Sequence, residues 1–66
     1  MNVVIRREDP ANANPILAQD PNYLASFIPA VGDDVTAGGT TLKVQARRFD
    51  FAPTTLALVA VELVVS

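Results

Sequence analysis

The segment from Phe27 to Phe51 reads FIPAVGDDVTAGGTTLKVQARRFDF and contains the clearest turn signal in the chain. At its centre, Gly38-Gly39 offers two residues that adopt positive φ without strain, as a two-residue type I′ hairpin turn requires. A turn there gives every flanking residue a definite partner: Ala37 with Thr40, Thr36 with Thr41, Val35 with Leu42, and Asp34 with Lys43. An apolar pair and an opposite-charge pair then lie on opposite faces, so the sequence predicts a hairpin in this register.

A second turn extends the hairpin to a three-stranded meander. The four-residue loop Phe51-Ala52-Pro53-Thr54 places its proline where no ladder donor is needed, and it predicts a final strand from about Thr55 to Val64. The expected cross-strand pairs are Asp50 with Thr55, Val44 with Val61, Leu42 with Leu63, and Lys43 with Glu62. One apolar face then carries Val35, Leu42, Val44, Val59, Val61 and Leu63. Slipping either turn by one residue would move this set to the other face.

The first half of the chain is less regular. The β-branched run Val3–Ile5 predicts a short first strand that ends near Arg6-Arg7. From Glu8 to Asn22 the chain carries three prolines, which remove backbone donors and disfavour helix, so we expect a long loop with at most one helical turn. The segment from Tyr23 to Ile28 could form a second strand, closed by Pro29.

Four or five short strands can bury an apolar face only by curling on themselves. We therefore predict an all-β fold, a single domain over residues 1–66, forming a small barrel of antiparallel strands with a C-terminal meander. The segment from Ile28 to about Val64, in which a proline and Val-Gly-Asp precede the hairpin and the next strand ends in arginine and phenylalanine, resembles small bacterial and phage β-proteins with an SH3-like barrel. The resemblance implies a fold and carries no activity.

Composition limits how such a domain can be stabilised. A chain of 66 residues buries only about 60% of its unfolded surface, so a small core needs support. Cysteine and histidine are both absent, which removes disulfides and the commonest transition-metal ligand. Association with another chain is the support that remains.

Charge and hydropathy restrict the partners. The net charge of −2 and the pI near 4.6 provide no general attraction to nucleic acid or to anionic membranes. The apolar run from Leu56 to Val65 is shorter than the roughly 20 residues of a membrane helix, and no secretory signal is apparent near Met1. We expect a cytoplasmic or virion-associated protein without a membrane segment.

The residues that could carry catalysis or bind a metal are few. Asp33, Asp34 and Asp50 lack the spacing of a calcium loop, and turn geometry or a lysine partner accounts for the first two. Ser26 and Ser66 have no candidate base in the sequence. We therefore predict no enzymatic activity, no metal and no cofactor.

Basic and aromatic residues alternate at the end of the hairpin. Arg47, Arg48, Phe49 and Phe51 could form a basic strip with stacking rings, the arrangement of single-strand nucleic-acid binders. Strand alternation assigns Arg47 and Phe49 to the outer face with Lys43, and Arg48 to the parity of the core. A nucleic-acid-binding barrel is thus the alternative function, although acidic residues outnumber basic ones.

The last strand is apolar on both faces apart from Glu62, whereas a one-sided sheet alternates apolar with polar residues. Curvature or cover from the long loop would explain this pattern, and so would an interface built on Phe49, Leu56 and Leu58, with the Pro10–Pro21 loop as a second contact. We expect a non-enzymatic structural or protein-binding module that forms a homo-oligomer or binds a protein partner, within a larger assembly of phage or mobile-element type.

Overall fold

The computed structural model describes all 66 residues and contains five β-strands and two short 3-10 helices. The strands are β1 (Asn2–Arg7), β2 (Ile16–Asp20), β3 (Asp34–Ala37), β4 (Thr40–Phe51) and β5 (Leu58–Val65). The helical turns cover Pro10–Asn12 and Ala25–Phe27. The predicted all-β fold is confirmed. Neither helical segment has the length or the apolar character needed to cross a lipid bilayer.

The five strands form one nearly closed, barrel-shaped sheet in the order β2-β1-β5-β4-β3. The meander β3-β4-β5 is antiparallel, as predicted. β1, however, pairs parallel with β5, from Asn2 opposite Ala60 to Arg7 opposite Val65, so the sheet is mixed rather than wholly antiparallel. The parallel pairing places β5 at the centre of the sheet, which explains why its sequence is the most continuously apolar in the chain.

The core lies on the concave face of this sheet, here called the inner face. It consists of five side chains that are at most 3% exposed: Val3, Val44, Val61, Leu63 and Val65. Partly buried apolar residues pack around them, including Val35, Leu42 and Leu58. With so few residues fully buried, the core is small even for a domain of this length.

The predicted hairpin is confirmed, register included. β3 and β4 pair Asp34 with Lys43, Val35 with Leu42, Thr36 with Thr41 and Ala37 with Thr40. Gly38 and Gly39 at the turn have φ of +60° and +79°, the positive values that the type I′ geometry demands. Lys43 Nζ donates to Asp34 at 2.9 Å, and the two threonine hydroxyls lie 2.8 Å apart. Local turn chemistry is sufficient to set this register.

The predicted register between β4 and β5 is wrong by four to five residues. Val44 lies opposite Val65 rather than Val61, and Glu62 lies opposite Arg48 rather than Lys43. The connection is also longer than predicted, because β5 begins at Leu58 and residues 52–57 form the loop. The register shifts by four residues at Val44 and by five from Ala46 to Asp50, beyond an extra residue in β4. Because β5 is apolar apart from Glu62, and Glu62 meets a basic residue in either register, the sequence pattern does not distinguish the two.

Two β-bulges change which side chains face inward. Gln45 is an extra residue in β4, between Val44 opposite Val65 and Ala46 opposite Val64. Beyond this bulge, Arg47 and Phe49 lie opposite inner-face residues, and Arg48 lies on the outer face. The predicted outer position of Arg47 and Phe49, and the core parity of Arg48, are therefore reversed.

The second bulge makes Val59 an extra residue in β5, between Ala60 opposite Asp50 and Leu58 opposite Phe51. Val59 is 49% exposed, so its predicted place among the core residues is wrong. A bulged residue has no cross-strand partner and its strand bends locally, which removes the side chain from the regular alternation.

The proline-rich segment contains a strand where the sequence predicts a loop. β2 pairs antiparallel with β1, with Val3 opposite Asp20 and Ile5 opposite Ala18. The predicted strand over Tyr23–Ile28 is absent, since this segment contains the 3-10 turn Ala25–Phe27. Tyr23 continues the β2 ladder by exchanging hydrogen bonds with Met1, and the chain then leaves the sheet.

Candidate association surface

A group of four exposed large apolar side chains lies where β4 ends and β5 begins. We call it the β4–β5 apolar surface, and it comprises Phe49, Phe51, Leu56 and Val59, which are 39%, 53%, 74% and 49% exposed. The rings of Phe49 and Phe51 are stacked, with centroids 6.5 Å apart. Phe51 lies opposite Leu58, which connects the two aromatic rings to the start of β5.

The three residues predicted as an interface occupy different environments. Phe49 lies opposite Val61 at the uncovered end of the inner face, and not beside Leu56 as the predicted register required. Leu58 packs partly against the core. Leu56 lies in the loop and is the most exposed large apolar residue in the chain. Phe49 and Leu56 are thus exposed to solvent, whereas Leu58 is partly buried against the core.

Leu56 combines an exposed side chain with a strained backbone. Its φ is +56°, in the left-handed region that favours glycine and asparagine. Its backbone N–H donates to the Ala52 carbonyl at 3.0 Å, and Ala52 N–H donates to the Ala57 carbonyl at 2.8 Å, so the loop closes on itself around this residue. Within its own chain, the exposed Leu56 side chain buries little apolar area.

The residues of the alternative nucleic-acid site are divided between two faces. On the inner face, the Arg47 guanidinium lies 5.1 Å from the Phe49 ring centroid, so Arg47, Phe49 and Phe51 form one continuous stack. On the outer face, Arg48 donates to Glu62 at 3.2 Å and lies 3.8 Å from Asp50. Arg48 therefore belongs to a charge network separate from the stack.

That network is centred on Glu62, on the outer face of the central strand. Its carboxylate accepts hydrogen bonds from Arg6 on β1 and from Arg48 on β4, both at 3.2 Å. Arg6 also donates to the Asn14 carbonyl at 3.0 Å. Glu62 thus connects three neighbouring strands, a role that the predicted pairing with Lys43 concealed.

The three aspartates considered for a metal or acid–base role are separated. Asp33 accepts a hydrogen bond from the Ala30 backbone at 2.8 Å and closes a turn. Asp34 pairs with Lys43, and Asp50 lies near Arg48. No group of three or more histidine, cysteine, aspartate or glutamate side chains converges in the structure.

A shallow cavity of about 170 Å³ lies on the inner face of β1 and β2. Its lining is mostly apolar, with Val3, Ile5 and Ala18 on the strands and Tyr23 at the rim. Asp20 also lines it, because this residue lies opposite Val3 and therefore on the inner face of an edge strand. An inward-pointing charge of this kind is one way in which natural sheets discourage pairing at an edge.

The sequence interpretation missed Phe51 and Val59 as parts of the apolar surface. Phe51 could have been found, because it follows Phe49 by two residues and alternation places both on one face. Val59 could not, because only the bulge in β5 explains its exposure. The cavity was also missed, since it depends on β2, in a segment whose prolines predict a loop.

No family model, no curated protein and no solved structure matches this chain. The resemblance of the second half to SH3-like barrels therefore stays a prediction. Any functional conclusion for this chain depends on its own residues and their geometry.

Proposed function

We propose that this protein is a non-enzymatic structural module that assembles with copies of itself through the β4–β5 apolar surface. The observation that supports this proposal is the number of exposed large apolar side chains compared with the number of buried residues. Five residues are buried, whereas eight large apolar side chains are more than one third exposed, and four of these form the β4–β5 apolar surface. An exposed patch of this kind on a small domain is typical of an interaction site.

Burial of the β4–β5 apolar surface supplies about as much free energy as self-association costs. Complete burial of a large apolar side chain stabilises by about 1.5–3 kcal/mol, and these four are already about half covered, which leaves about 1 kcal/mol each. A two-fold contact uses each residue twice, so the apolar contribution is about 8 kcal/mol. Association costs about 4–15 kcal/mol, so apolar burial alone roughly balances this cost. Further contacts would then set the affinity.

The strained conformation of Leu56 is a second support. A leucine in the left-handed region is less stable by about 1–2 kcal/mol than one in an ordinary conformation. Such outliers persist where the surroundings stabilise them, and many belong to binding sites. A contact that buries the Leu56 side chain would offset this cost.

Sedimentation equilibrium between about 1 and 100 μM tests the proposal, with Leu56→Asp as the variant and Leu24→Asp as the matched control. Both leucines are exposed, at 74% and 64%, so neither substitution disturbs the core. We expect the wild-type protein and Leu24→Asp to associate and Leu56→Asp to remain monomeric. A wild-type protein that is folded and monomeric over the whole range would disprove self-assembly.

A nucleic-acid-binding role is the second candidate, and the stack of Arg47, Phe49 and Phe51 is the observation that favours it. Exposed rings beside a guanidinium are what single-strand binders use to stack bases. Against it, the net charge is −2, and Arg6, Lys43 and Arg48 are already paired with carboxylates. Titration of labelled single-stranded DNA at low and high salt separates the two roles. Affinity that falls steeply with salt would support it, and no binding at low salt would reject it.

The proposed setting is a larger assembly of phage or mobile-element type, in the cytoplasm or in a virion. Its support is the resemblance of the segment from Ile28 to about Val64 to small bacterial and phage β-proteins. Co-purification with the products of neighbouring genes would test this setting. Purification of the tagged protein without any such product would count against it.

A further inference from the structure

β4 is much longer than the strand beside it, and this leaves part of its edge open. β4 has 12 residues and β3 has four. β3 pairs only with Thr40–Lys43 of β4. The loop before β3 adds two hydrogen bonds at Val44: its carbonyl accepts from Gly32 N–H, and its N–H donates to the Asp33 carbonyl. From Gln45 to Phe51, the backbone of β4 pairs with β5 alone. The opposite edge of this segment is therefore unpaired.

The open edge is accessible and of a length that can bind another strand. Every residue from Gln45 to Phe51 is exposed except Asp50, which is partly buried. The segment contains no proline or glycine, and unpaired N–H and C=O groups along an extended edge are a template for strand addition. Arg47 and Arg48 would repel an incoming strand only if their cross-strand partners were also positively charged.

We propose that two copies of the chain pair antiparallel along this edge, with Phe49 at the two-fold axis. This inference rests on the proposed self-assembly and assigns it a backbone contact, in which Phe49 and Phe51 of the β4–β5 apolar surface take part. An antiparallel pairing centred on Phe49 places each Phe49 opposite the Phe49 of the second copy. Arg48 then meets Asp50 of the second copy, and Arg47 meets Phe51 of the second copy, and each of these pairs occurs twice.

The chemistry of the segment fits this register on both faces. On the outer face, Arg48 and Asp50 form two opposite-charge pairs, and Arg48 has donors to spare because its side chain is 66% exposed. On the inner face, the rings of Phe49 meet at the axis, and each Arg47 faces a Phe51 ring. The second copy thus repeats between chains the cation–π contact that Arg47 already makes with Phe49.

Neighbouring registers are disfavoured by charge. A two-fold antiparallel pairing joins residues whose numbers have a constant even sum, so that inner faces meet inner faces. Centring the pairing on Arg48 places two arginines directly opposite each other, and centring it on Asp50 places two carboxylates opposite each other. Like charges in directly opposed positions are destabilising. Of these registers, the one centred on Phe49 pairs every charge with a complementary group.

A charge-exchange experiment tests the pairing. Arg48→Glu alone and Asp50→Arg alone each replace two attractions by two repulsions in the homodimer, and we expect each to weaken self-association at least about tenfold. When the two variants are mixed, both cross-strand pairs become attractive again, so native mass spectrometry should show mainly the mixed dimer. The proposal would be overturned if homodimers and mixed dimers formed in statistical proportions, or if either variant alone associated as strongly as the wild-type protein. Circular dichroism checks that each variant is folded. If Arg48→Glu does not fold, the pairing is tested by Asp50→Arg alone and by a cysteine cross-link at position 49.

A cysteine at the axis tests the register independently. The chain has no cysteine, so Phe49→Cys introduces a single thiol, and directly opposed residues have Cα atoms about 4.5–5.5 Å apart, which suits a disulfide. We expect mild oxidation to convert this variant to a covalent dimer, and Leu24→Cys to remain monomeric under the same conditions. A wild-type dimer whose Phe49→Cys variant resists cross-linking while Leu56→Cys cross-links would reject the β4 pairing and leave self-assembly intact. A wild-type monomer would reject both.

Discussion

Arg48 lies directly opposite Glu62 in the ladder between β4 and β5, and its Nη2 donates a 3.2 Å hydrogen bond to the Glu62 carboxylate. Because Arg6 donates to the same carboxylate, one acidic side chain on the central strand connects three strands across the outer face. The Glu62 side chain is 23% exposed, less than any other carboxylate in an ion pair of this chain. Its charge is therefore screened less by water than the charges of the other pairs.

Substitution of Glu62 should cost more stability than substitution of a surface carboxylate. Glu62→Gln keeps the size of the side chain but removes the carboxylate that Arg6 and Arg48 share, which leaves Arg48 only its 3.8 Å contact with Asp50. We expect this substitution to lower the free energy of unfolding by about 1 kcal/mol. Urea denaturation at one fixed protein concentration measures the change. The matched control is Asp34→Asn, which removes the exposed pair with Lys43 and should cost less than about 0.5 kcal/mol. Equal losses for the two variants would contradict the central role of Glu62.

Burial predicts different outcomes for two chemically identical truncations. Val61 is 1% exposed within the core and Val31 is 58% exposed on a loop. Val61→Ala removes two buried methyl groups and leaves a cavity, so we expect a loss of about 2 kcal/mol, whereas Val31→Ala should stay within about 0.5 kcal/mol of the wild type. Thermal or urea unfolding of both variants checks the placement of the inner face. A tolerated Val61→Ala would mean that the core lies elsewhere.

The hairpin turn predicts a specific order of substitutions at Gly38. Its φ is +60°, and a Cβ added there would meet no atom within 4 Å, so only the backbone conformation opposes a side chain. We expect Gly38→Ala to cost about 1 kcal/mol and Gly38→Asn to be nearly neutral, because asparagine adopts the left-handed region more readily. Denaturation midpoints of the two variants provide the comparison. Equal effects would show that the turn is not of the type I′ geometry.

Leu56 should show opposite effects on stability and on association. Leu56→Asn places a residue that tolerates positive φ at a φ of +56°, so we expect the isolated chain to gain up to about 1 kcal/mol in free energy of unfolding. The same variant removes the most exposed apolar side chain from the β4–β5 apolar surface, and self-association should weaken. Urea denaturation at low protein concentration measures the effect on stability. Sedimentation equilibrium at higher protein concentration measures the effect on association. A variant that loses stability when monomeric would show that Leu56 contributes within its own chain.

The sequence predicted those parts of the fold that depend on the conformational preferences of adjacent residues. The two glycines of the turn specify the β3–β4 register, and the β-branched run after Met1 specifies the first strand. The open edge of β4 also has a sequence signal, since Pro29 and Gly32 limit the strand before the hairpin, whereas the strand after it runs to Pro53 without a glycine or proline. Of the three residues predicted to form an interface, Phe49 and Leu56 are exposed to solvent, and Leu58 is partly buried against the core.

Local sequence is sufficient to predict the all-β class and the hairpin at Gly38-Gly39, because both depend on the conformational preferences of a few adjacent residues. The excess of apolar residues in the last strand is likewise visible in the sequence. The β4–β5 register depends on tertiary contacts, because β5 is apolar apart from Glu62 and its sequence fits more than one pairing with β4. The bulges at Gln45 and Val59 and the parallel insertion of β1 beside β5 also depend on contacts between distant segments. Those contacts place Arg47 and Phe49 on the inner face and Arg48 beside Glu62, and no pattern of alternation within one strand contains that information.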